Sequence, residues 1–361
     1  MYERGGTPPG CLLVISPHAI KLVSRLGAWT LTDFLADLRP EPAPNPAARH
    51  IVMEALRRGD RIFRSLTQAS AFLVLALLGA IFFSLIAGGF EAFKTFGFSF
   101  ITTEVWNPVT EQFGALAPIY GTIITSAIAM LIAVPISIGI AVFLTELCPM
   151  ALRRPIGIAI ELLAGIPSII YGIWGLFIFA PFMQQYVQPA LISMFKPVPV
   201  LNNLFAGPPY GIGILTSALI LAMMVLPFVT AVCRDVFETV PPVLKEAAYG
   251  MGCTTREVVR TVVIPYTRVG IVGGVMLGLG RALGETMAVT FVIGNAHRIS
   301  ASIMAPGTTI SATIANEFTE AVGDLYTSSL IALGLILFFI TFIVLGLAQL
   351  MLMRLEKKAG T

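Results

Sequence analysis

Charged side chains are scarce in this chain of 361 residues, of which 12% are charged and 56% are hydrophobic. About a quarter of the residues of a soluble globular domain are charged. So low a share excludes an ordinary soluble domain of this length. The composition predicts a membrane protein that crosses the bilayer several times.

Sequence motifs for nucleotide binding and for catalysis are missing as well. The chain has no GxxxxGK[ST] loop, whose backbone amides would cradle the phosphates of ATP, so it cannot bind ATP in that way itself. Gly278, Gly280 and Gly284 imitate a dinucleotide-binding fingerprint, but the spacing is one residue too long and no strand precedes it. There is no nucleophile elbow and no HExxH motif, which argues against an enzyme inside the membrane.

Cysteine and histidine are few, and neither has the spacing of metal ligands. The residues are Cys11, Cys148, Cys233, Cys253, His18, His50 and His297. All four cysteines fall on or near the predicted cytoplasmic side, where thiols stay reduced. We therefore predict no disulfide and no metal site, and we interpret the histidines as ordinary loop residues.

Long apolar runs are what the sequence does have. A helix needs about 20 residues to cross a bilayer, and six runs reach that length. They are Gln68 to Gly88, Ile119 to Leu144, Pro155 to Pro181, Ile212 to Val232, Val269 to Ile293 and Ser329 to Met353. The expected fold class is an all-α membrane protein with six transmembrane helices.

The distribution of lysine and arginine predicts the orientation, because these residues are enriched in cytoplasmic loops. One side of the membrane would hold only Lys94, Lys196 and Arg298. The other side, from Met53 onward, holds Arg57, Arg58, Arg61, Arg64, Arg153, Arg154, Arg234, Lys245, Arg256, Arg260, Arg268, Arg354, Lys357 and Lys358. Both termini and the loop at 246–265 are thus predicted to be cytoplasmic. We attribute the net charge of +3 to this excess of lysine and arginine on the cytoplasmic side, and we infer no nucleic-acid binding from it.

Residues 1–52 differ from the rest of the chain. They are rich in proline and lack an apolar segment followed by a small-residue cleavage site, so a signal peptide is not expected. We interpret this segment as a disordered N-terminal extension. Met53 precedes the basic flank of the first apolar run, and translation from Met53 or from Met1 stays open. Residues 53–361 form the predicted transmembrane domain.

The loop at 246–265, EAAYGMGCTTREVVRTVVIP, is a polar interruption between two apolar runs. Glu246, Ala247 and Ala248 favour a helix, and Gly252 belongs to a predicted turn. A second helical stretch follows from Arg256 to Ile264, and Pro265 is expected to end it. Taken alone, this pattern is also compatible with a solvated hairpin in which glycine and proline are only turn residues.

The spacing of Glu246, Ala247, Ala248, Gly252, Ile264 and Pro265 resembles the signature of the membrane subunits of ABC importers. Other segments are similar, in order, to those of phosphate-importing ABC permeases. They are FGALAPIYGTIITS (Phe113 to Ser126), GIAVFLTEL (Gly139 to Leu147), ELLAGIPSIIYGIWGLFIFAP (Glu161 to Pro181) and GLGRALGETMAVTFVIGN (Gly278 to Asn295). The resemblance begins near Leu66 and continues to the C-terminus.

This resemblance implies the type I ABC importer permease fold and a transport function without enzymatic activity. The 246–265 hairpin would dock on a cytoplasmic ATPase, which would hold the ATP and Mg that this chain lacks a motif to bind. The implied partners are a second permease subunit, a dimer of ATP-binding subunits and a periplasmic phosphate-binding protein, in a bacterial inner membrane. No cofactor in this chain and no nucleic acid are expected.

Arg281 and Glu285 lie in the middle of the fifth apolar run, where an ionisable residue is costly and suggests a functional site. Being four residues apart, they are predicted to share a helix face and to pair. Gly270, Gly274 and Gly278 would let a neighbouring helix approach that face closely. The two interpretations are a translocation pathway, with Arg281 facing an anion, and a structural ion pair. The resemblance favours the pathway.

Four further residues have predicted roles. Glu146 and Glu161 are predicted to form interfacial ion pairs near Arg153 and Arg154. Pro167 lies where a broken helix is expected. Trp106, in the first external loop, is a candidate contact for a periplasmic partner.

Three alternatives remain open from the sequence. The chain could be the sister permease subunit, or a permease for another oxyanion such as sulfate or molybdate. A more distant alternative is an ATP-independent anion channel or ion-coupled transporter, which leaves the cytoplasmic hairpin without a role. A role in sensing phosphate supply could coexist with transport.

Overall fold

The computed structural model describes residues 46–359, and this range is helical, with one isolated β-bridge between Asn107 and Gln112. We number the principal helices in chain order. They are α1 (Pro46–Phe96), α2 (Leu116–Val142), α3 (Met150–Ala164), α4 (Ser168–Trp174), α5 (Ile214–Glu238), α6 (Pro242–Gly250), α7 (Thr255–Val258), α8 (Ile264–Leu283), α9 (Met287–Thr290), α10 (Ile310–Glu317) and α11 (Asp324–Ala359).

Shorter segments connect or extend these helices. Four are short α-helices: Ser99–Thr102, Ala180–Phe182, Gln188–Phe195 and Pro199–Leu204. Four are π-helical turns: Phe143–Leu147, Gly175–Phe179, Met183–Val187 and Val259–Val263.

The chain divides into two units, Met1–Leu77 and Leu78–Thr361. Of the first unit the structure describes the beginning of α1, whose side chains from Gly59 to Leu77 are exposed. The second unit contains all the other helices. Most of the predicted extension, residues 1–45, lies outside the described residues, and α1 begins at Pro46, within its last part.

Five continuous helices are long and apolar enough to cross a membrane. They are Gly59–Phe96, Leu116–Leu147, Ile214–Glu238, Thr255–Leu283 and Asp324–Arg354. A sixth candidate is the pair Met150–Ala164 and Ser168–Phe195, which is bent by 85°. The expected all-α membrane fold is confirmed, with six spans if the bent pair is counted as one.

The third apolar run, predicted for Pro155 to Pro181, is a broken helix, Met150–Ala164 followed by Ser168–Phe195. The backbone leaves the helix after Ala164, and Pro167 is extended, with φ −56° and ψ 135°. Proline disfavours a helical conformation in the residue before it and cannot donate a backbone hydrogen bond. The discontinuity expected at Pro167 is therefore confirmed.

The centre of the second unit is α5, which is the most deeply buried of the candidate spans. Val225, Val229 and Cys233 lie in its main hydrophobic cluster, together with Ala129 and Ala133 of α2. Ser137 of α2 donates a hydrogen bond of 3.0 Å to the backbone oxygen of Leu226 in α5. α5 thus forms the scaffold on which α2 and α8 pack.

The predicted small-residue face of α8 packs on α5. A Cβ atom at Gly270 would come within 2.5 Å of Val236, one at Gly274 within 2.8 Å of Val232, and one at Gly278 within 2.6 Å of Val229. Real Cβ contacts are longer than 3.0 Å. Close approach of a neighbouring helix, expected from the spacing of these glycines, is confirmed.

Gly274→Leu is expected to destabilise the protein by about 3 kcal/mol or more, because a leucine forces apart two helices in contact. Gly273→Leu is the matched control, since nothing lies within 4 Å of a Cβ atom at the neighbouring position. Thermal unfolding in detergent measures both. A Gly274→Leu variant as stable as the Gly273→Leu variant would contradict this packing.

Candidate functional site

The predicted cytoplasmic loop is a helix–turn–helix hairpin built by local backbone signals. α6 ends at Gly250, and Gly252 has φ +88°, a conformation that favours glycine. Thr254 and Glu257 then form a capping box at the start of α7, in which each side chain bonds the other residue's backbone N–H. The helix, turn and second helix expected here are confirmed, although α6 begins at Pro242, before Glu246.

Pro265 does not end the second helix, contrary to the sequence expectation. The π turn Val259–Val263 precedes it, and the backbone N–H of Ile264 bonds the oxygen of Val259. Pro265 follows Ile264 directly after this π turn, and the altered hydrogen-bond pattern of the turn accommodates a residue without a backbone N–H. As a result, Thr255–Leu283 forms one long rod running from the hairpin into the bundle.

The hairpin has one buried side and one exposed side. Ala248, Val258 and Val263 are buried in the main hydrophobic cluster and attach the hairpin to the bundle. The opposite side of α6 is exposed, and we call it the outer face. It consists of Val243, Glu246, Ala247, Tyr249 and Gly250. Val243 is 70% exposed and Tyr249 42% exposed, so this face is partly apolar, as expected of a docking surface.

Arg281 and Glu285 do not share a helix. α8 ends at Leu283, Gly284 follows as its C-cap, and Glu285 lies beyond it. Glu285 Oε1 instead accepts a hydrogen bond of 3.1 Å from the backbone N–H of Ala288, at the start of α9. The expectation of a shared helix face is therefore wrong, and no Arg281–Glu285 ion pair is present within the described range. Glycines at 280 and 284, which disfavour helix, explain the early end.

Arg281 lies in the last turn of α8 with an exposed side chain, on the same side as the exposed Leu277. A cation there is favourable, because the carbonyl ends of a helix carry partial negative charge. Glu285 is half-buried and holds the turn that leads into α9. α9 in turn packs against α4, where a Cβ atom at Gly172 would approach the backbone oxygen of Met287 to 2.9 Å.

The two acidic residues at the helix margins do form ion pairs, but with other partners than Arg153 and Arg154. Glu146 pairs with Lys245 at 2.5 Å, and Glu161 pairs with Arg234 at 2.7 Å. Both partners lie far along the chain, in α6 and α5. Ion pairing of both residues is confirmed, but proximity in the sequence did not identify the partners.

A cluster that the sequence did not reveal surrounds Glu317, at the end of α10. Trp106 Nε1 donates a hydrogen bond of 2.6 Å and the Tyr326 hydroxyl one of 2.7 Å to Glu317 Oε2. His297 Nε2 lies 2.8 Å from Glu317 Oε1, and its ring stacks on Trp106. His297 is thus half-buried and paired, rather than an ordinary loop residue, and the Trp106 indole is engaged within this chain.

The charge of Glu317 is favoured by these contacts. Burial would raise the pKa of Glu317, but the hydrogen bonds from His297, Tyr326 and Trp106 lower it, and the net pKa is below its usual 4.5. Because the folded pKa is depressed, the ionised carboxylate stabilises the fold at neutral pH, and this contribution is lost as the pH falls through the folded pKa.

Glu317→Gln is expected to lower the free energy of unfolding by about 1 to 3 kcal/mol at pH 7, because an amide nitrogen cannot accept a hydrogen bond from these donors. The difference from the unsubstituted protein should shrink as the pH falls from 4.5 through the lower folded pKa, because Glu317 binds a proton first in the unfolded chain. Thermal unfolding at about pH 7, 5, 4 and 3 measures both effects. A difference that stays constant over this whole range would contradict them.

Metal-ligand groups are absent in the part of the chain that the structure describes, since no three His, Cys, Asp or Glu residues there lie together. Cys148, Cys233 and Cys253 are unpaired. Cys11 and His18 lie outside the described residues, and nothing is described of the His50 side chain.

Comparison with known proteins matches residues 133–357 to the family of the binding-protein-dependent transport system inner membrane component. A protein of Mesorhizobium japonicum named phosphate transport system permease protein PstC is 71% identical over 318 residues, covering 87% of this chain and 97% of that protein. The protein of the same name from Pasteurella multocida is 58% identical over 301 residues, covering 83% of this chain and 94% of that protein.

Among solved structures, a bacterial ABC transporter involved in the import of the acidic polysaccharide alginate has a similar fold. The TM-score is 0.52 at 15% identity, covering 81% of this chain and 99% of that one. The likeness concerns the fold alone. From the match over residues 133–357 and the identity with these relatives, the chain belongs to the family of binding-protein-dependent transport system inner membrane components.

Proposed function

We propose that the chain is the transmembrane permease subunit of an ATP-driven importer of inorganic phosphate, in which it forms half of the translocation pathway. The observation that carries this proposal is 71% identity, over 87% of the chain, with a relative named as a phosphate transport permease. The cytoplasmic hairpin with an exposed outer face supports it, because such a subunit must receive movement from a separate motor.

The subunit works with partners that supply what it lacks. A second permease subunit completes the pathway. A dimer of ATP-binding subunits holds ATP and Mg, and this dimer docks on the outer face of the hairpin. A periplasmic phosphate-binding protein delivers the anion on the other side of a bacterial inner membrane. The termini and the hairpin are cytoplasmic, in agreement with the distribution of lysine and arginine.

Movement of the hairpin reaches the pathway through a rigid element. ATP binding closes the ATPase dimer and displaces the hairpin, and the rod Thr255–Leu283 begins in that hairpin and ends beside Arg281. Rotation or tilt of the rod therefore moves Arg281 when the ATPase closes.

Arg281 and Glu285 have different tasks in this proposal. The exposed guanidinium of Arg281 offers several N–H donors in a planar arrangement that suits phosphate oxygens. Glu285 holds the turn between α8 and α9 through the Ala288 amide, and so positions the end of α8. Together they line the pathway at the point where the long rod stops.

Copurification from native membranes tests the assignment of the subunit. A tagged chain is expected to bring an ATP-binding subunit, a second permease and a phosphate-binding protein, and phosphate should stimulate ATP hydrolysis by this complex. Stimulation by sulfate or molybdate but not by phosphate would overturn the substrate. Transport of phosphate by the purified chain without ATP would overturn the mechanism.

A further inference from the structure

The ion pair between Lys245 and Glu146 joins the hairpin to a second span. Lys245 lies in α6, and its Nζ is 2.5 Å from Glu146 Oε1. Glu146 belongs to the π turn Phe143–Leu147, which extends the end of α2. The two residues are 99 positions apart. α2 and α6 are not adjacent in the chain, so this contact is a tertiary link between them.

The pair is largely withdrawn from solvent. The side chain of Glu146 is 6% exposed and that of Lys245 is 20% exposed. Breaking such a pair by removing one partner leaves an uncompensated charge in a poorly solvated place, which is costly. A fully exposed pair would contribute little to holding the hairpin.

Lys245 is located on the inner side of α6, about 60° around the helix from the buried Ala248. Glu246 and Ala247 of the outer face lie about 100° and about 160° from Lys245 around the helix. One side of this helix is therefore free for a partner, while the other is attached to α2 by an ion pair and to the hydrophobic cluster by Ala248.

Neighbouring cations do not duplicate the contact. Arg153 donates to the backbone oxygen of Thr145, and among the side chains that the structure describes Lys245 is the only cation within 4.0 Å of the Glu146 carboxylate. Glu146 has therefore one charged partner, and that partner belongs to the hairpin.

We propose that the Lys245–Glu146 pair is a coupling link, through which displacement of the hairpin is transmitted to α2 as well as along the rod Thr255–Leu283. The inference rests on the proposed function, because it names positioning residues for that transport cycle. α2 packs on α5 from the side and α8 packs on α5 through its glycines. A hairpin attached to both α2 and α8 moves the two spans together.

Without the pair, the hairpin can follow the ATPase while α2 stays behind, so ATP is hydrolysed with less transport. In proteoliposomes containing the complete complex and its binding protein, Lys245→Met is expected to lower the phosphate imported per ATP hydrolysed by about tenfold. Lys245→Arg should keep most of this ratio because the charge is retained. The charge swap Lys245→Glu with Glu146→Lys should raise the ratio above that of either single variant.

Glu161→Gln is the matched control. It removes another ion pair between helices, that with Arg234, which does not involve the hairpin, and Arg234 keeps Asp235 as a partner at 2.9 Å. The phosphate imported per ATP hydrolysed by the Glu161→Gln complex should stay near that of the unsubstituted complex. Glu146→Gln serves as the second test of the link if the Lys245→Met complex does not assemble, and the same loss of ratio is expected.

The outcomes separate this inference from the proposed function. An unsubstituted complex that hydrolyses ATP without importing phosphate overturns the proposed function. An unsubstituted complex that imports phosphate, with an unchanged ratio in Lys245→Met or Glu146→Gln, overturns the coupling link alone. The coupling link is also overturned if the charge swap imports as little phosphate per ATP as the single variants. The same holds if the Glu161→Gln control loses as much of this ratio as Lys245→Met.

Discussion

Arg281→Ala is expected to lower phosphate import by about a hundredfold while the complex still assembles. The guanidinium is exposed at the end of the rod Thr255–Leu283, and a phosphate ion in a low-dielectric pathway needs charged donors. Losing one charge-assisted contact of this kind costs about 2 to 5 kcal/mol, and a hundredfold loss of import corresponds to about 2.7 kcal/mol. Uptake of labelled phosphate by cells or proteoliposomes, normalised to assembled complex, measures the effect.

Conservative and distant substitutions show whether the effect depends on guanidinium geometry. Arg281→Lys keeps the charge but loses the planar pair of donors, so partial import is expected. Arg298→Ala removes another exposed arginine, in the connection between α9 and α10, and should leave import almost unchanged. Equal losses of phosphate import in Arg281→Ala and Arg298→Ala would contradict a specific contact between Arg281 and the transported anion.

A charge exchange tests the relation between Arg281 and Glu285. Since Glu285 bonds the Ala288 amide and does not pair with Arg281, Arg281→Glu combined with Glu285→Arg should remain inactive. Full restoration of phosphate uptake by this exchange would show that pairing is sufficient, and the contact between Arg281 and substrate would have to be abandoned.

Gly252→Val is expected to lower import at least about tenfold by distorting the hairpin. Gly252 has φ +88°, and side chains with L chirality cost roughly 1 to 2 kcal/mol in the left-handed region, with β-branched ones the least tolerated. The turn orients α6 and its outer face relative to α7, so a changed turn displaces the surface that meets the ATPase. ATP-dependent uptake and copurification of the ATP-binding subunit measure the loss.

Two controls separate backbone conformation from the mere loss of a glycine. Gly252→Asn should retain most of the activity, because asparagine tolerates the left-handed region. Gly346→Ala places a methyl group in open space at a helical position of α11, away from the hairpin, and it should be neutral. Gly252→Val and Gly252→Asn variants with the same activity would contradict a requirement for this backbone conformation.

Local sequence signals predicted the hairpin, the glycine face of α8 and the break at Pro167. Each of them depends on residues close together in the chain: a turn glycine with a capping box, small residues at steps of four, and a proline before a new helix. Such features are decided by backbone preferences and side-chain size, and they need no knowledge of distant partners.

Other features depended on tertiary partners or on competing local effects. The apolar run around Arg281 continues to Ile293, but the helix ends at Leu283, because glycines weaken it where hydrophobicity alone gives no boundary. Pro265 was expected to end a helix, yet the preceding π turn accommodates it. The contact between Trp106 and Glu317 spans 211 positions, and no periodicity or spacing in the sequence signals it.

The most direct test of the proposed function is uptake of labelled phosphate by proteoliposomes that contain the complete complex, with ATP on the hairpin side and binding protein on the other side. We expect accumulation of phosphate against a gradient, which requires ATP, the binding protein and this subunit together. Added sulfate should not reduce this accumulation. Accumulation without ATP, or import of sulfate in place of phosphate, would contradict the proposed function.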